Sequence, residues 1–159
     1  MERLWTPWRM HYVGGGVGEP GCFLCAKPAE GRDEENFILH RAELGFVLLN
    51  LYPYNSGHLM VAPYAHVGDL ASLPPDVGHA LFDLTQRAVA ALQQEYRPDG
   101  FNVGLNLGRS AGAGLPDHLH VHVVPRWHGD TNFMPILAQT KVLPESLDQT
   151  WARLRPHFL

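Results

Sequence analysis

The chain has 159 residues, a length expected of one domain whose core needs no cross-links. Hydrophobic residues make up 45% and charged residues 18%, which is typical of a globular protein and excludes an intrinsically disordered one. The formal net charge of −4 argues against a generally basic surface for nucleic acid, and no apolar run is long enough to span a membrane. The N-terminus carries charges and Pro7 where a signal peptide needs an apolar stretch, so we expect a cytoplasmic protein that binds neither nucleic acid nor membrane.

A single domain is predicted over residues 1–159, because neither an internal repeat nor a second-domain boundary is visible. Residues 1–21 form an apolar arm, rich in tryptophan, that ends in a glycine-rich stretch. We expect this arm to pack on the body of the domain or on a second subunit. The core is expected to span about residues 22–128, and residues 129–159 form a C-terminal segment.

Three short strands are predicted in the first half of the chain. Residues 37–40 form a short apolar run, and residues 46–52 form a longer one that ends at Pro53. Residues 58–62 resume the apolar run after a turn, so the two longer runs indicate an antiparallel hairpin. The charged stretch at residues 26–36, which precedes all three, is expected to be a surface loop.

One long helix is predicted over residues 76–96, where apolar side chains recur at the i, i+3, i+4 spacing of an amphipathic helix. A short amphipathic helix near the C-terminus is indicated by Leu147, Trp151 and Leu154, which share one helical face. Antiparallel strands with one long helix and a short C-terminal helix define an α+β fold.

Two further strands flank a glycine-rich loop. Residues 101–107 alternate, with apolar side chains on one face and Asn or Gly on the other. Residues 108–117 are rich in glycine, which lets backbone N–H groups converge on an anion. Residues 118–124 alternate again, so we predict a second strand there.

Three histidines recur in that second strand. Residues two apart in a strand point the same way, so His118, His120 and His122 are expected to line one face. Three imidazoles in strict alternation have no packing rationale, because imidazole packs less well than valine and needs hydrogen-bond partners. Such a row can hold a metal ion, or it can supply a nucleophile that attacks phosphorus. The adjacent glycine-rich loop favours the nucleophile.

The run His118-Leu-His120-Val-His122-Val-Val resembles the signature of the histidine triad family. Residues 102–126 are similar to the family's active-site strand, loop and strand. The N-terminal arm and residues 111–135 resemble the bacterial branch that contains diadenosine tetraphosphate phosphorylases and dinucleoside polyphosphate hydrolases. The resemblance implies a nucleotidyl transferase or hydrolase that cleaves dinucleoside polyphosphates.

The resemblance also implies how the catalytic histidines divide the work. His120 is expected to be the nucleophile and to form a covalent nucleotidyl-histidine, which suits an imidazole that is largely neutral at pH 7. His122 is expected to donate to a phosphate oxygen as charge builds in the transition state, with Asn106 as a second donor. His118 completes the triad, and whether it also supports catalysis stays open.

A nucleotide-binding pocket is the next expectation. The resemblance places Asn50 at the ribose hydroxyls and Leu48 and Leu51 in the base pocket, although an Asn before Pro53 can also simply form a turn. Trp127 follows the triad and is expected either to cover the substrate or to pack on the C-terminal segment. The remaining candidates for substrate contact lie in the glycine-rich loop and are Gly108, Ser110 and Gly114.

A structural zinc ion is predicted as the cofactor. Cys22 and Cys25 form a C-x-x-C in a chain with no other cysteine. The resemblance extends to family members and related galactose-1-phosphate uridylyltransferases that combine such a pair with a later histidine and the first triad histidine. The implied ligands here are Cys22, Cys25, His66 and His118, with His58 competing for the third place. A closed Cys₂His₂ set leaves no position for water, so this zinc holds structure.

Several alternatives stay open at this point. A nucleoside phosphoramidase would use the same triad, and a zinc-dependent hydrolase would use the three histidines as metal ligands. A nucleotide-binding sensor without turnover is disfavoured by the intact triad. The second acceptor is either phosphate, which makes a phosphorylase, or water, which makes a hydrolase. The resemblance further suggests a homodimer.

Overall fold

The structure, a computed structural model, describes residues 21–138 and 140–159 of the chain. Almost all of the predicted N-terminal arm therefore lies outside the described residues. The helices are α1 (Phe23–Glu30), α2 (Pro75–Tyr96), α3 (Met134–Ala138) and α4 (Leu147–Leu154). The strands are β1 (Ile38–Arg41), β2 (Gly45–Leu49), β3 (Leu59–Pro63), β4 (Gly100–Leu105) and β5 (Val121–Arg126). Three short 3₁₀ turns occupy Leu70–Ser72, Arg109–Ala111 and Arg155–Phe158.

The five strands form one antiparallel sheet in the order β1-β2-β3-β5-β4. The predicted hairpin is β2 and β3, in which Leu48 lies opposite Met60. Met60 in turn lies opposite His122 of β5, so the triad strand lies inside the sheet, between β3 and β4. This arrangement confirms the α+β fold with its long helix and short C-terminal helix.

Alternate side chains of the sheet enter two separate apolar clusters. One cluster lies between the sheet and α2 and includes Val47 and Leu49 of β2 together with Leu92 of α2. The other contains Phe46 and Leu48 of β2 and is covered by α1. His122 shares this second face, because it lies opposite Met60, a member of the second cluster. The triad strand thus packs against α2 on one face and carries His122 on the face towards α1.

α2 matches its predicted bounds closely. Its buried residues recur at helical spacing and face the first cluster. The helix begins at Pro75, which suits the first helical position because its missing N–H needs no partner there. It ends where Arg97 adopts a left-handed conformation with φ 47°. The sheet packs against the buried face of this long helix, which thereby positions the strands.

The C-terminal helix covers one edge of the sheet. Ser146 and Gln149 form a capping box that starts α4. The indole N–H of Trp151 donates to the carbonyl of Ile38 at 3.1 Å, and Arg155 donates to the carbonyl of Leu39 at 2.7 Å. These two bonds engage carbonyls of the edge strand β1. The opposite edge is β4, where Val103 is 49% exposed.

Three local predictions differ from the structure. The stretch 26–36 is not all loop, because α1 continues through Pro28 to Glu30 and anchors itself with the buried Leu24. The triad strand begins only at Val121, since the amide of Leu119 donates to Val67 instead of joining the ladder. The apolar face predicted for residues 101–107 is only partly buried, because β4 lies at the sheet edge.

Across residues 21–138 and 140–159, none of the helices combines the length and the apolar composition needed to cross a membrane.

Candidate active site and metal centre

Two cysteines and two histidines from distant parts of the chain converge beside α1. Cys22 occupies the N-cap of α1, and Cys25 lies in its first turn. His66 follows β3, and His118 precedes β5. The Nδ1 atom of His118 lies 3.2 Å from the Sγ of Cys22, 3.4 Å from the Sγ of Cys25 and 3.3 Å from the Nδ1 of His66. The structure therefore brings together the whole predicted ligand set.

The spacing of these four groups fits a tetrahedral metal ion. With zinc bond lengths of about 2.3 Å to sulfur and about 2.0 Å to nitrogen, a tetrahedron separates its ligand atoms by about 3.3–3.8 Å. Four of the six separations among these atoms are 3.2–3.4 Å, close to that range. All four ligand atoms lie within 4.8 Å of one another, so Cys22, Cys25, His66 and His118 could hold a metal.

His118 is prepared for metal binding by its other ring nitrogen. Its Nε2–H donates to the carbonyl of Pro63 at 2.8 Å, which leaves the lone pair on Nδ1, the atom that faces the cysteines. Burial lowers the pKa of His118, which favours the neutral imidazole that a metal requires. The ring is fully buried, so its orientation is fixed by the surrounding structure.

The loop that carries His66 lies directly against the loop that precedes His118. Gly68 allows this close approach, because a Cβ at that position would collide with the carbonyl of Pro116 and lie 2.9 Å from the Cα of Asp117. The amide of Leu119 also donates to the carbonyl of Val67 at 2.8 Å. These contacts hold the loop of His66 against the residues around His118, at the start of the triad.

The central triad residue has a defined tautomer. The Nδ1 atom of His120 lies 2.9 Å from the backbone carbonyl of His118, and a carbonyl can only accept, so Nδ1 carries the proton. The lone pair of the neutral ring is then on Nε2. His120 is buried, with only 8% of its surface exposed. Its ring lies edge-on to that of His122, with 4.8 Å between the ring centroids.

The third triad residue is oriented through a fourth histidine. The backbone N–H of Tyr54 donates to Nδ1 of His58 at 3.1 Å, so the proton of His58 is on Nε2. That nitrogen lies 3.0 Å from Nδ1 of His122, which therefore accepts. The neutral His122 ring must then carry its own proton on Nε2, the tautomer that can donate to a phosphate oxygen.

His58 is a functional candidate that the sequence analysis considered only as a competing metal ligand. Among the residues that the structure describes, the metal-binding group contains His66 and not His58, which is 1% exposed and bound to His122. The histidine is close in sequence to both sites, and only the antiparallel pairing of β3 with β5 shows which one it joins. Its place directly before β3 was the available signal.

Asn50 and Leu48 lie on or near the same side as the triad. The amide nitrogen of Asn50 is 3.4 Å from Nε2 of His58, while its side-chain oxygen accepts from the amide of Tyr52 at 2.8 Å. Asn50 thus forms the local turn that was one of the two expectations, beside the triad's supporting histidine. Leu51 lines a cavity together with Leu49 of the α2-side cluster and with His58.

The glycine-rich loop is held partly by its own backbone. Gly108 has φ 79°, and its carbonyl accepts from the amides of Ala111 and Ala113, both at 3.2 Å. These two amides are therefore engaged within the loop. Asn106 and Gly114 are partly buried, and Ser110 is exposed.

Trp127 leaves β5 on the side of α2. Its ring packs edge-on against Tyr96 at 6.4 Å between centroids, and its backbone N–H donates to the carboxylate of Asp130 at 3.1 Å. Asp130 also accepts from the guanidinium of Arg126 at 2.7 Å. Within the described residues the ring of Trp127 thus packs on the end of α2.

The same fold and residues occur in a known family. A family model described as the HIT domain matches residues 32–129. This chain therefore belongs to the histidine triad (HIT) family, and it is an enzyme of that family, a nucleotide hydrolase or transferase.

Relatives and solved structures agree with this assignment. The chain is 45% identical to the AP-4-A phosphorylase of Mycobacterium tuberculosis over 167 aligned positions, which cover 96% of this chain and 86% of that protein. It is 30% identical to a bis(5'-adenosyl)-triphosphatase of Dictyostelium discoideum over 56% of this chain and 59% of that protein. A zinc-bound histidine triad family protein of Mycobacterium smegmatis matches with a TM-score of 0.70 and 26% identity, over 88% of this chain and 94% of that one.

Proposed function

We propose that this enzyme cleaves diadenosine tetraphosphate by phosphorolysis, through a nucleotide bound covalently to His120. The observation that carries the proposal is the bond from Nδ1 of His120 to the carbonyl of His118, which puts the lone pair of a neutral imidazole on Nε2. The 45% identity to an AP-4-A phosphorylase over nearly the whole chain supports both the substrate and the acceptor.

The first step is an attack of His120 Nε2 on the phosphorus of one adenylyl group. A phosphorus–nitrogen bond forms, the bond to the bridging oxygen breaks, and ATP leaves as a stable anion. His122, protonated on Nε2 through its contact with His58, donates to a phosphate oxygen on which negative charge increases. Because ATP is a good leaving group, no strong general acid is needed.

In the second step inorganic phosphate attacks the same phosphorus. The phosphorus–nitrogen bond breaks, ADP forms, and the neutral imidazole of His120 is regenerated. Water in place of phosphate would give AMP. The geometry offers little support for a hydrolase in which three histidines hold a catalytic zinc, because Nδ1 of His118 faces the cysteines and Nδ1 of His122 faces His58.

The products distinguish these reactions. With diadenosine tetraphosphate and phosphate we expect ADP and ATP in equal amounts, and little turnover when phosphate is left out. ³²P-labelled phosphate should appear in the β-position of ADP. Formation of AMP and ATP at a rate that does not depend on phosphate would show a hydrolase. Failure to consume the substrate under either condition would contradict the proposal.

Substrate recognition is assigned to the residues predicted for it. We propose that Asn50 binds the ribose hydroxyls, which is supported by its position next to His58, and that Leu48 forms the floor of the base pocket. The other candidates remain predictions and are Leu51, Asn106, Gly108, Ser110, Gly114 and Trp127.

Zinc is proposed for the Cys₂His₂ group as a structural ion. The set of four ligands is the composition of closed structural zinc sites, and the TM-score match to a zinc-bound family member is in keeping with it. When bound, the ion would connect α1 to the loop after β3 and to the loop before β5. It has no part in the two chemical steps.

We propose a homodimer formed through β4. This strand lies at the sheet edge and leaves Val103 49% exposed, and Leu107 just beyond its end is 43% exposed, so a second copy could extend the sheet. Sedimentation velocity is expected to show a dimer, and Val103→Lys to shift it to monomer. The control Phe82→Lys replaces a residue of α2 that is 66% exposed and should leave the dimer intact. A monomeric wild type would contradict this proposal.

A further inference from the structure

The turn between β2 and β3 is held in place by the carboxylate of Asp130, which lies shortly after β5. Asn55 in this turn is 7% exposed. Its side-chain amide donates to the carboxylate of Asp130 at 2.8 Å and to the carbonyl of Pro125 at 3.0 Å. A buried polar side chain on a turn is costly to place without partners, so these bonds determine where the turn sits.

Asp130 is itself rigidly held. Its carboxylate accepts from Nε and from a terminal nitrogen of Arg126 at 2.7 and 3.0 Å, and from the backbone N–H of Trp127 at 3.1 Å. Arg126 is fixed in turn by a 2.7 Å bond to the side-chain oxygen of Asn102 on β4. The bidentate ion pair lowers the pKa of Asp130 well below its usual range, so the group stays charged. The carboxylate is therefore anchored to both β4 and β5.

The same turn determines the tautomer of two histidines in the active site. The backbone N–H of Tyr54, next to Asn55, donates to His58, and the backbone N–H of His58 donates to the carbonyl of Asn55 at 3.2 Å. His58 in turn donates to Nδ1 of His122. A shift of the turn would withdraw the Tyr54 amide, and His58 could then place its proton on either nitrogen.

We propose that Asp130 is a positioning residue for His122, acting through Asn55, Tyr54 and His58. Its carboxylate fixes the turn relative to β5, the turn fixes the tautomer of His58, and His58 fixes that of His122. Asp130 touches neither substrate nor reacting atoms. This proposal rests on the proposed nucleotidyl transfer in one respect, because it is in that reaction that His122 acts as a hydrogen-bond donor.

The kinetic test is Asp130→Asn, which keeps the size of the side chain and removes its charge. We expect kcat for diadenosine tetraphosphate to fall by about tenfold or more while KM changes by less than about threefold, because only the donor in the transition state is disturbed. The matched control is Asp99→Asn. Asp99 also accepts a backbone N–H beyond β5, from His128 at 2.7 Å, but it does not contact the turn. It should leave kcat unchanged.

A second variant tests the same link if Asp130→Asn does not fold. Asn55→Ala removes the connection to the turn but leaves the ion pair of Asp130 with Arg126 in place. It should lower kcat to a similar extent. In the double variant the two losses should not multiply, because both break one connection. Wild-type kcat in both single variants, losses that multiply, or an equal loss in Asp99→Asn would overturn the proposal.

A spectroscopic measurement separates this proposal from the proposed function. Long-range ¹H–¹⁵N correlation spectra report which ring nitrogen of a histidine is protonated. In the wild type we expect His122 as the Nε2–H tautomer, and in Asp130→Asn a mixture of both tautomers. This result needs no turnover, so it decides the role of Asp130 even if the wild type fails to cleave diadenosine tetraphosphate. An unchanged single tautomer in the variant would overturn the proposal.

Discussion

Replacing His120 with alanine is expected to reduce turnover of diadenosine tetraphosphate by at least about 10⁴-fold, because the reaction loses its nucleophile. Binding of AMP should survive within a few-fold, since Asn50 and Leu48 come from β2 and its following turn. The thermal midpoint should change little compared with that effect. Initial rates, calorimetric titration with AMP and thermal melting of the purified variant measure the three quantities.

Detection of the covalent intermediate is the more specific test of this mechanism. Rapid quenching of the wild type with labelled substrate should trap one adenylyl group on the peptide that contains His120. His79→Ala is the matched control, because His79 lies exposed on α2 and its loss should leave the adduct and the rate unchanged. Label on another residue, or wild-type turnover in His120→Ala, would rule out the mechanism.

Removing the metal is expected to have the largest effect on stability. Cys25→Ser is the most informative variant, because Cys25 is exposed and its replacement creates no cavity. We expect the variant to lose the metal and about 3–5 kcal/mol of unfolding free energy. The loss is smaller than the full binding free energy of a structural zinc ion, because the contacts among the remaining ligands still stabilise the fold. At about 2–4 °C per kcal/mol for a chain of this size, the thermal midpoint should fall by about 10 °C.

Metal analysis and melting curves check this expectation together. The wild type should contain one zinc per chain, and wild type stripped by a chelator should melt near Cys25→Ser. His128→Ala, which replaces an exposed histidine outside the Cys₂His₂ group, is the control and should keep both metal and midpoint. Protein without metal, or a wild type whose midpoint a chelator does not lower, would contradict the zinc site.

Local sequence patterns predicted the elements whose burial follows a simple period. The helical stripe of residues 76–96 and the hairpin around Pro53 appear in the structure because each buries one face in the apolar cluster between the sheet and α2. The charged composition of residues 26–36 predicted a loop, but the first part of this stretch continues α1, which includes Pro28 and buries Leu24. At the sheet edge, alternation of residues 101–107 did not translate into burial.

In the candidate site, too, some residues were predicted from the sequence and others were not. The metal set was implied by the family resemblance together with the C-x-x-C pair, and its four groups meet as expected. The partners of His122 could not be predicted, because they depend on the register between β3 and β5 and on a backbone amide, which no residue type signals. Asp130 is a further case, because its bond to Asn55 joins positions 75 residues apart.

The two edges of the sheet have different consequences for growth by addition of copies. A sheet with two open edges can take up a new chain at each end without limit, which is how fibrils elongate. Here Trp151 and Arg155 occupy carbonyls of β1, so a second chain would have to displace both side chains before it could pair there. In the proposed dimer, pairing through β4 would therefore end after one partner, and the C-terminal segment would prevent further copies from adding at β1.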